Sequence, residues 1–361
     1  MSAMQTGLAK TTRPRMSGVL PRERLFERLE QARERPIAWL TGPPGCGKTT
    51  LVANYLEERG SGGLWYQIDA GEADVATFFY YMGLAVQSLS EGDAPLPRLA
   101  PEYTGDLAAF SRGYFRELFA RLGSPFVLVF DNYQEVPPHS RFHEVMREGL
   151  AEVPAGSTVV FISRSDPPPA LARYRVNQSL EMMDWEELRL TREETDAMVD
   201  MRYPDLDQQS RDALYERTQG WAAGLVLMIE NLSRGRTLSD TSPGSAPQAI
   251  FDYLAGEIFE DFDQDAADFL VRTAFLPQMT AADAGAMSGE DNAAERLAQL
   301  VSKYYLVDAR EVSGEVVFQF HPLLRDFLIS QGQKRLCAQE QAALRVRAAE
   351  LLEANGRVED T

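Results

Sequence analysis

Only two cysteines, Cys46 and Cys337, occur among the 361 residues. Neither has a metal-ligand spacing around it, which excludes a disulfide framework and a cysteine-held zinc site. Histidine is scarce too, with three in the chain. His139 and His143 share an i, i+4 helix face, but the stretch is not H-E-x-x-H and no third ligand is evident, so both are expected at the surface. No apolar run approaches the ~20 residues of a membrane-crossing helix. The first 15 residues are polar and basic, unlike a secretory signal. A cytoplasmic protein with no membrane partner is expected. Positive charge is also short: 36 Lys and Arg face 54 Asp and Glu, a net charge of −18. That balance opposes a broad nucleic-acid surface, so direct nucleic-acid binding by this chain is not expected. What is present is apolar content, 44%, ample for packed cores, in a length that suggests two or three domains.

Gly42, Pro43, Pro44, Gly45, Cys46, Gly47, Lys48 and Thr49 fit the phosphate-binding pattern G-x-x-x-x-G-K-S/T. An apolar run at 37–40 precedes them, and a helical stretch opening with Thr49 and Thr50 follows. That is the strand–loop–helix setting the pattern requires. Glycines let backbone N–H groups curl round a polyphosphate, and the helix N-terminus adds its positive dipole end. Such a loop tolerates an acidic chain because it works through local dipoles. Lys48 is expected to reach the β- and γ-phosphates, and the Thr49 hydroxyl to ligate Mg²⁺. Cys46 reads as a small filler. The alternative is a Gly/Pro turn that carries a lysine.

The metal needs a second ligand from another strand. A continuous apolar run at 126–130, of the kind a strand buried on both faces shows, ends in Asp131, which takes the Walker B role. Arg164 follows a similar run at 158–162, at the strand end where ligands bind in open α/β sheets. It is expected either to sense the γ-phosphate or to be a solvated surface charge.

Further strand-like runs at 64–68 and 178–182 complete an α/β reading: a P-loop NTPase parallel sheet with helices on both faces. It spans 18–184, after a flexible N-terminus at 1–17, and includes one long helical region from 73 to 122. Thr191 and Glu194 have capping-box spacing and open a small helical domain, 185–233. Residues 234–247, rich in Ser, Thr, Gly and Pro, read as a linker and hinge. Helices up to Lys303, then strand-like runs at 304–307 and 316–320 around a turn at 313–314, give the order of a winged-helix domain, 248–333. The tail, 334–361, reads as one charged helix. A winged helix ordinarily reads DNA through the helix before its hairpin. Here that stretch, 292–303, offers only Arg296 and Lys303 as cations. Phosphate contact dominates DNA affinity, so an intramolecular role is expected instead.

In order along the chain stand LTGPPGCGKTT (40–50), WYQID (65–69), LVFDNY (128–133), SRSDPP (163–168), LRLT (188–191), GWAAGL (220–225) and FHPLL (320–324). The series resembles the signal-transduction ATPases with numerous domains, and within them the MalT-like regulators of the LuxR group, over roughly residues 18–335. The resemblance implies a switch whose three domains close round ADP at rest and open on exchange for ATP with an inducer. It implies adenine nucleotide and Mg²⁺ as ligands, an unidentified inducer or protein partner, and nucleotide-dependent self-association; any ATPase activity is expected to be weak because of the residue at 132, where the chain departs from the family. By the same resemblance Arg164 is the phosphate-sensing arginine and His321 contacts the nucleotide's phosphate from the winged helix. Gly220 and Trp221 match a Gly-x-Pro motif whose proline packs on adenine. On the residues alone, His321 before Pro322 is a helix cap or packing residue.

Two positions depart from the family pattern. Asn132 stands where a second acid is usual, and a carboxamide takes no proton from water, so a general base is lost there. Ala222 replaces the motif's proline. Whole members of the family continue into helical repeats and a DNA-binding helix-turn-helix, so the chain is expected to be their front module, a truncated form or a fragment. The alternatives are a catalytic P-loop ATPase or phosphotransferase, and a DNA-binding regulator acting through the winged helix.

Overall fold

A computed structural model describes residues 9–14, 18–60, 63–87, 94–100, 103, 105–233, 248–257, 259, 262–304, 307–312 and 315–354. The expected linker at 234–247 and hairpin turn at 313–314 lie outside the described residues. The chain divides into two units, Met1–Gly42 with Gly47–Leu188, and Pro43–Cys46 with Arg189–Thr361.

In the first unit the continuous apolar runs become five parallel strands: β1 (Ile37–Thr41), β2 (Gly63–Gln67), β3 (Val127–Asp131), β4 (Thr158–Ser163) and β5 (Leu180–Met183). Their order is β2-β3-β4-β1-β5. Every residue of β1, β3 and β4 is buried, as helices covering both faces require. The helices are α1 (Glu23–Ala32), α2 (Lys48–Glu58), α3 (Val75–Gln87), α4 (Leu107–Leu122), α5 (Phe142–Leu150), α6 (Ala172–Val176) and α7 (Trp185–Leu188). Aromatic side chains fill the core under the sheet's functional edge. Trp39 stacks on Phe161 (5.0 Å between centroids) and meets Tyr133 edge-on (5.1 Å). Burial of each such ring contributes about 1.5–3 kcal/mol.

The single helical region expected from 73 to 122 is two helices, α3 and α4. Pro95 and Pro97 push their predecessors toward extended backbone. A new helix then starts at Asp106, whose side chain accepts from the Ala109 N–H. Within the stretch read as a flexible N-terminus, Ala9–Thr11 forms a 3-10 turn, and Lys10 pairs with Asp69 at 2.8 Å and the buried Glu72 at 2.7 Å.

The second unit begins with α8 (Arg192–Arg202), whose Thr191–Glu194 capping box has both bonds in place. Then come α9 (Gln208–Thr218), capped by Asp207, and α10 (Ala222–Ser233). Next are α11 (Gln248–Glu257), α12 (Gln264–Thr273), α13 (Ala281–Ser288), α14 (Ala293–Tyr304), the antiparallel hairpin β6 (Val307–Val312) and β7 (Glu315–Phe320), α15 (Pro322–Arg335) and α16 (Ala338–Ala354). Met279 adds a bridge to Phe318, widening the hairpin. The strand expected from 304 starts at Val307. The helical burial period of Ala293, Leu297 and Leu300 carries α14 through Tyr304. The tail is likewise not one helix from 334: α15 runs to Arg335, Leu336 is extended, and α16 starts afresh beyond Cys337, whose N–H is held by Glu340 at 2.9 Å.

Candidate functional site

The strand order sets the geometry of the first unit's carboxyl edge. β4 lies between β1, which leads into the loop at Gly42, and β3, which ends in Asp131. Arg164 follows β4 directly, so it stands on the edge between the two. α2 begins at Lys48, with Gly47 as its N-cap. The Thr49 hydroxyl donates to the Asp131 carboxylate, 3.1 and 3.2 Å from its two oxygens. Lys48 is folded onto its own loop, its Nζ 2.6 Å from the Gly42 carbonyl. Thr50 follows in the first turn of α2, partly buried.

Asp131 is 4% exposed. Desolvation raises its pKa, against the hydrogen bonds from Thr49 and the Asn132 N–H and the charge of Lys48. A divalent cation beside it would supply the charge that burial withholds, and a hydroxyl with a carboxylate is the hard oxygen chemistry Mg²⁺ prefers. Among the described residues no group of three or more His, Cys, Asp or Glu could hold a metal. Mg²⁺ would therefore complete its shell with water and phosphate oxygens, as it usually does.

Asn132 has a left-handed φ of 62°, and its N–H donates to Asp131 Oδ1 at 2.9 Å. Gln134, in the 3-10 turn Tyr133–Glu135, reaches across to β4: its Oε1 accepts the Arg164 N–H at 3.0 Å. The Trp39 indole N–H holds the same loop by donating to the Ser165 carbonyl at 3.0 Å. The Arg164 side chain is half-buried. Sequence reasoning missed Gln134; its one signal was a polar side chain just past the metal-holding acid.

Expected at the surface, His143 is instead buried. Its Nδ1 accepts from the Tyr133 hydroxyl (2.9 Å) and its Nε2–H donates to the Pro137 carbonyl (3.1 Å), so α5 turns this face inward. Desolvation lowers its pKa, against the Pro137 hydrogen bond, and favours the neutral ring. His139 is exposed, as expected.

In the second unit, Pro43–Cys46 is gripped by the turn into α10. The Trp221 indole N–H donates to the Pro44 carbonyl at 2.9 Å, and the Ala223 N–H donates to the Gly45 carbonyl at 2.9 Å. Gly45 has φ +73°, and a Cβ there would lie 2.5 Å from Ala223 Cβ and 2.7 Å from the Tyr253 hydroxyl. Cys46 is buried. Gly220 has φ +78°, and a Cβ would lie 2.5 Å from the Leu190 carbonyl oxygen, so only glycine fits the turn. Trp221 is fully buried between Tyr253 and His321, with ring centroids 5.8 and 5.9 Å away. His321 caps α15: Nδ1 accepts the Leu323 N–H (3.3 Å), and Nε2–H donates to the Thr218 carbonyl (2.8 Å). Tyr253 also escaped sequence reasoning, because nothing local marks a tyrosine so far from the loop it meets.

Residues 255–340 match the sequence family described as the MalT winged helix domain. The chain is 30% identical over 351 residues to the HTH-type transcriptional regulator MalT of Serratia proteamaculans, covering 95% of this chain and 38% of that protein. It is 30% identical over 337 residues to the regulator of the same name from Yersinia enterocolitica, covering 89% of this chain and 36% of that protein. The chain thus spans little more than a third of these relatives. Among solved structures, a Walker-type ATPase of Pyrococcus abyssi is alike in fold, with a TM-score of 0.59 at 14% identity over 86% of this chain and 96% of that one. The resemblance to MalT-like regulators carried by the motifs extends through most of the sequence.

Proposed function

From a sequence similar to MalT regulators over 95% of its length, we propose that the chain is the nucleotide-dependent regulatory part of a MalT-like transcriptional regulator. It is a cytoplasmic ATP/ADP switch with slow hydrolysis. The observation that carries this reading is the meeting of Lys48, Thr49 and Asp131 at the carboxyl edge of the sheet. The loop's backbone N–H groups and the N-terminus of α2 take the phosphates. Lys48, on leaving the Gly42 carbonyl, neutralises the β- and γ-phosphates, and Thr49 and Asp131 hold Mg²⁺. Arg164 senses the γ-phosphate. Gly220 and Trp221 shape the adenine side, and His321 exchanges the Thr218 carbonyl for a phosphate oxygen in the ADP state. The domains proposed for this switch are 18–184, 185–233 and 248–333, with an inducer or protein partner driving exchange and self-association following it.

Lys48→Ala is the first test. A ligand at about 100 times its Kd stabilises a one-site protein by roughly 2.7 kcal/mol, readily seen in a melting curve. Wild type is expected to show that shift with Mg²⁺ and ADP, and Lys48→Ala to lose most of it. Equal shifts would overturn the reading. Asn132→Asp is expected to raise phosphate release from a slow wild type. Wild-type turnover of about 1 per second or more, ordinary for an enzyme, would favour the catalytic ATPase or phosphotransferase instead. The DNA-binding alternative is weakened at α14, where Arg296 pairs with Glu290 at 2.7 Å and lies over the Phe269 ring at 5.6 Å.

A further inference from the structure

Gln134 joins two strand ends through one carboxamide. Its Oε1 accepts the Arg164 N–H at 3.0 Å, while its Nε2 lies 3.4 Å from Asn132 Oδ1 and 3.2 Å from Glu135 Oε1. A backbone N–H can only donate, so the Gln134 atom facing Arg164 must be oxygen. Its NH₂ group then faces Asn132, which must meet it with its own oxygen. The Asn132 NH₂ is thereby directed away from Gln134. The Asn132 backbone is held beside the acid, its N–H donating to Asp131 Oδ1 at 2.9 Å in a left-handed conformation, so the choice between its two carboxamide orientations falls to Gln134. Beside the metal-holding acid, then, this chain fixes a carboxamide whose outward group is a donor. A carboxylate there would repel a phosphate oxygen; an amide NH₂ attracts one.

We propose that Gln134 is the positioning residue that turns Asn132 into a donor for the terminal phosphate of a nucleoside triphosphate, and so sets the preference for triphosphate over diphosphate. This rests on the nucleotide reading above and adds the residue pair that discriminates within it. A diphosphate lacks the terminal phosphate that Asn132 would meet, and would rely on the loop and Lys48 alone. A hydrogen bond to a charged oxygen is worth about tenfold or more in affinity. Gln134 acts only through Asn132, so the two residues form one unit.

The test uses the full chain, with ADP and the non-hydrolysable imido analogue of ATP, each with Mg²⁺, in titration calorimetry. Gln134→Glu keeps an oxygen toward the Arg164 N–H but removes the NH₂, which forces Asn132 to rotate its own NH₂ inward. Gln134→Glu and Asn132→Ala are each expected to lower the ratio of triphosphate to diphosphate affinity by about tenfold. The double variant should fall no further, which neither simple charge repulsion nor a general packing defect produces. Nucleotide-free melting curves check that each variant folds. An unchanged ratio in Gln134→Glu, or additive losses in the double variant, overturns the proposal while leaving the nucleotide reading standing. A wild type that binds neither nucleotide overturns both.

Discussion

Burial works against the charged form of Asp131, whose pKa lies above its ordinary 3.8. A carboxyl with a raised folded pKa favours folding below its unfolded pKa, and loses that contribution as pH rises through the folded value. Without nucleotide, the charge is therefore a burden at neutral pH. Asp131→Asn is expected to melt above wild type at pH 7 in the absence of ligand, with the gap closing as the pH falls toward 3.8. The same variant should bind Mg²⁺-nucleotide more weakly. A lower ligand-free Tm at pH 7 would mean that the Thr49 and Asn132 bonds outweigh desolvation. His143 has the opposite sign: burial lowers its pKa below 6.5. Its contribution is present above 6.5 and is lost as pH falls through the folded value. His143→Phe removes a partner from the buried Tyr133 hydroxyl and is expected to cost about 1–3 kcal/mol in urea unfolding at pH 7.5. The difference from wild type should shrink on acidification; a constant difference would deny the histidine its titration.

Helix α5 approaches α4 closely because residue 149 has no side chain: a Cβ there would lie 2.3–2.5 Å from the Phe115 ring. Gly149→Ala gains about 1 kcal/mol of helix propensity but overpacks a buried aromatic, which typically costs about 1–3 kcal/mol. A net loss of up to about 2 kcal/mol is expected, and a stabilised variant would show that Phe115 can move. Much of the element content was legible. The runs at 37–40, 126–131 and 158–162 fall on β1, β3 and β4, where burial on both faces leaves continuous apolar stretches, and the less regular runs at 64–68 and 178–182 overlap β2 and β5. That same uniformity hides which strand neighbours which, so the order β2-β3-β4-β1-β5 could not be read. Lys48, Thr49 and Asp131 were legible because their spacing is local to strand ends. The Trp221–Pro44 bond joins residues 177 apart, and His143 is carried inward on α5 while His139 stays in the turn before that helix, off the shared helix face expected for them, so neither left a trace in the sequence.

The whole chain carries a net charge of −18. Self-repulsion of that size disfavours the compact state and is screened within about 10 Å at 0.1 M salt. Raising sodium chloride from about 0.01 to 0.3 M should therefore increase the ligand-free Tm, as read by scanning calorimetry. Local ion pairs such as Lys10 with Asp69 and Glu72 respond in the other direction. A falling Tm would show that such pairs outweigh the net imbalance.

The grip of α10 on the loop tip has a consequence in time. The Ala223 N–H is bonded to the Gly45 carbonyl, a loop atom, rather than to a carbonyl of its own helix. Such a proton exchanges with deuterated solvent only when the bond opens. The bond opens when either the first turn of α10 or the loop tip moves away. A single backbone amide thus keeps a clock for the contact between the phosphate loop and α10, and its exchange half-life measures how often the two part.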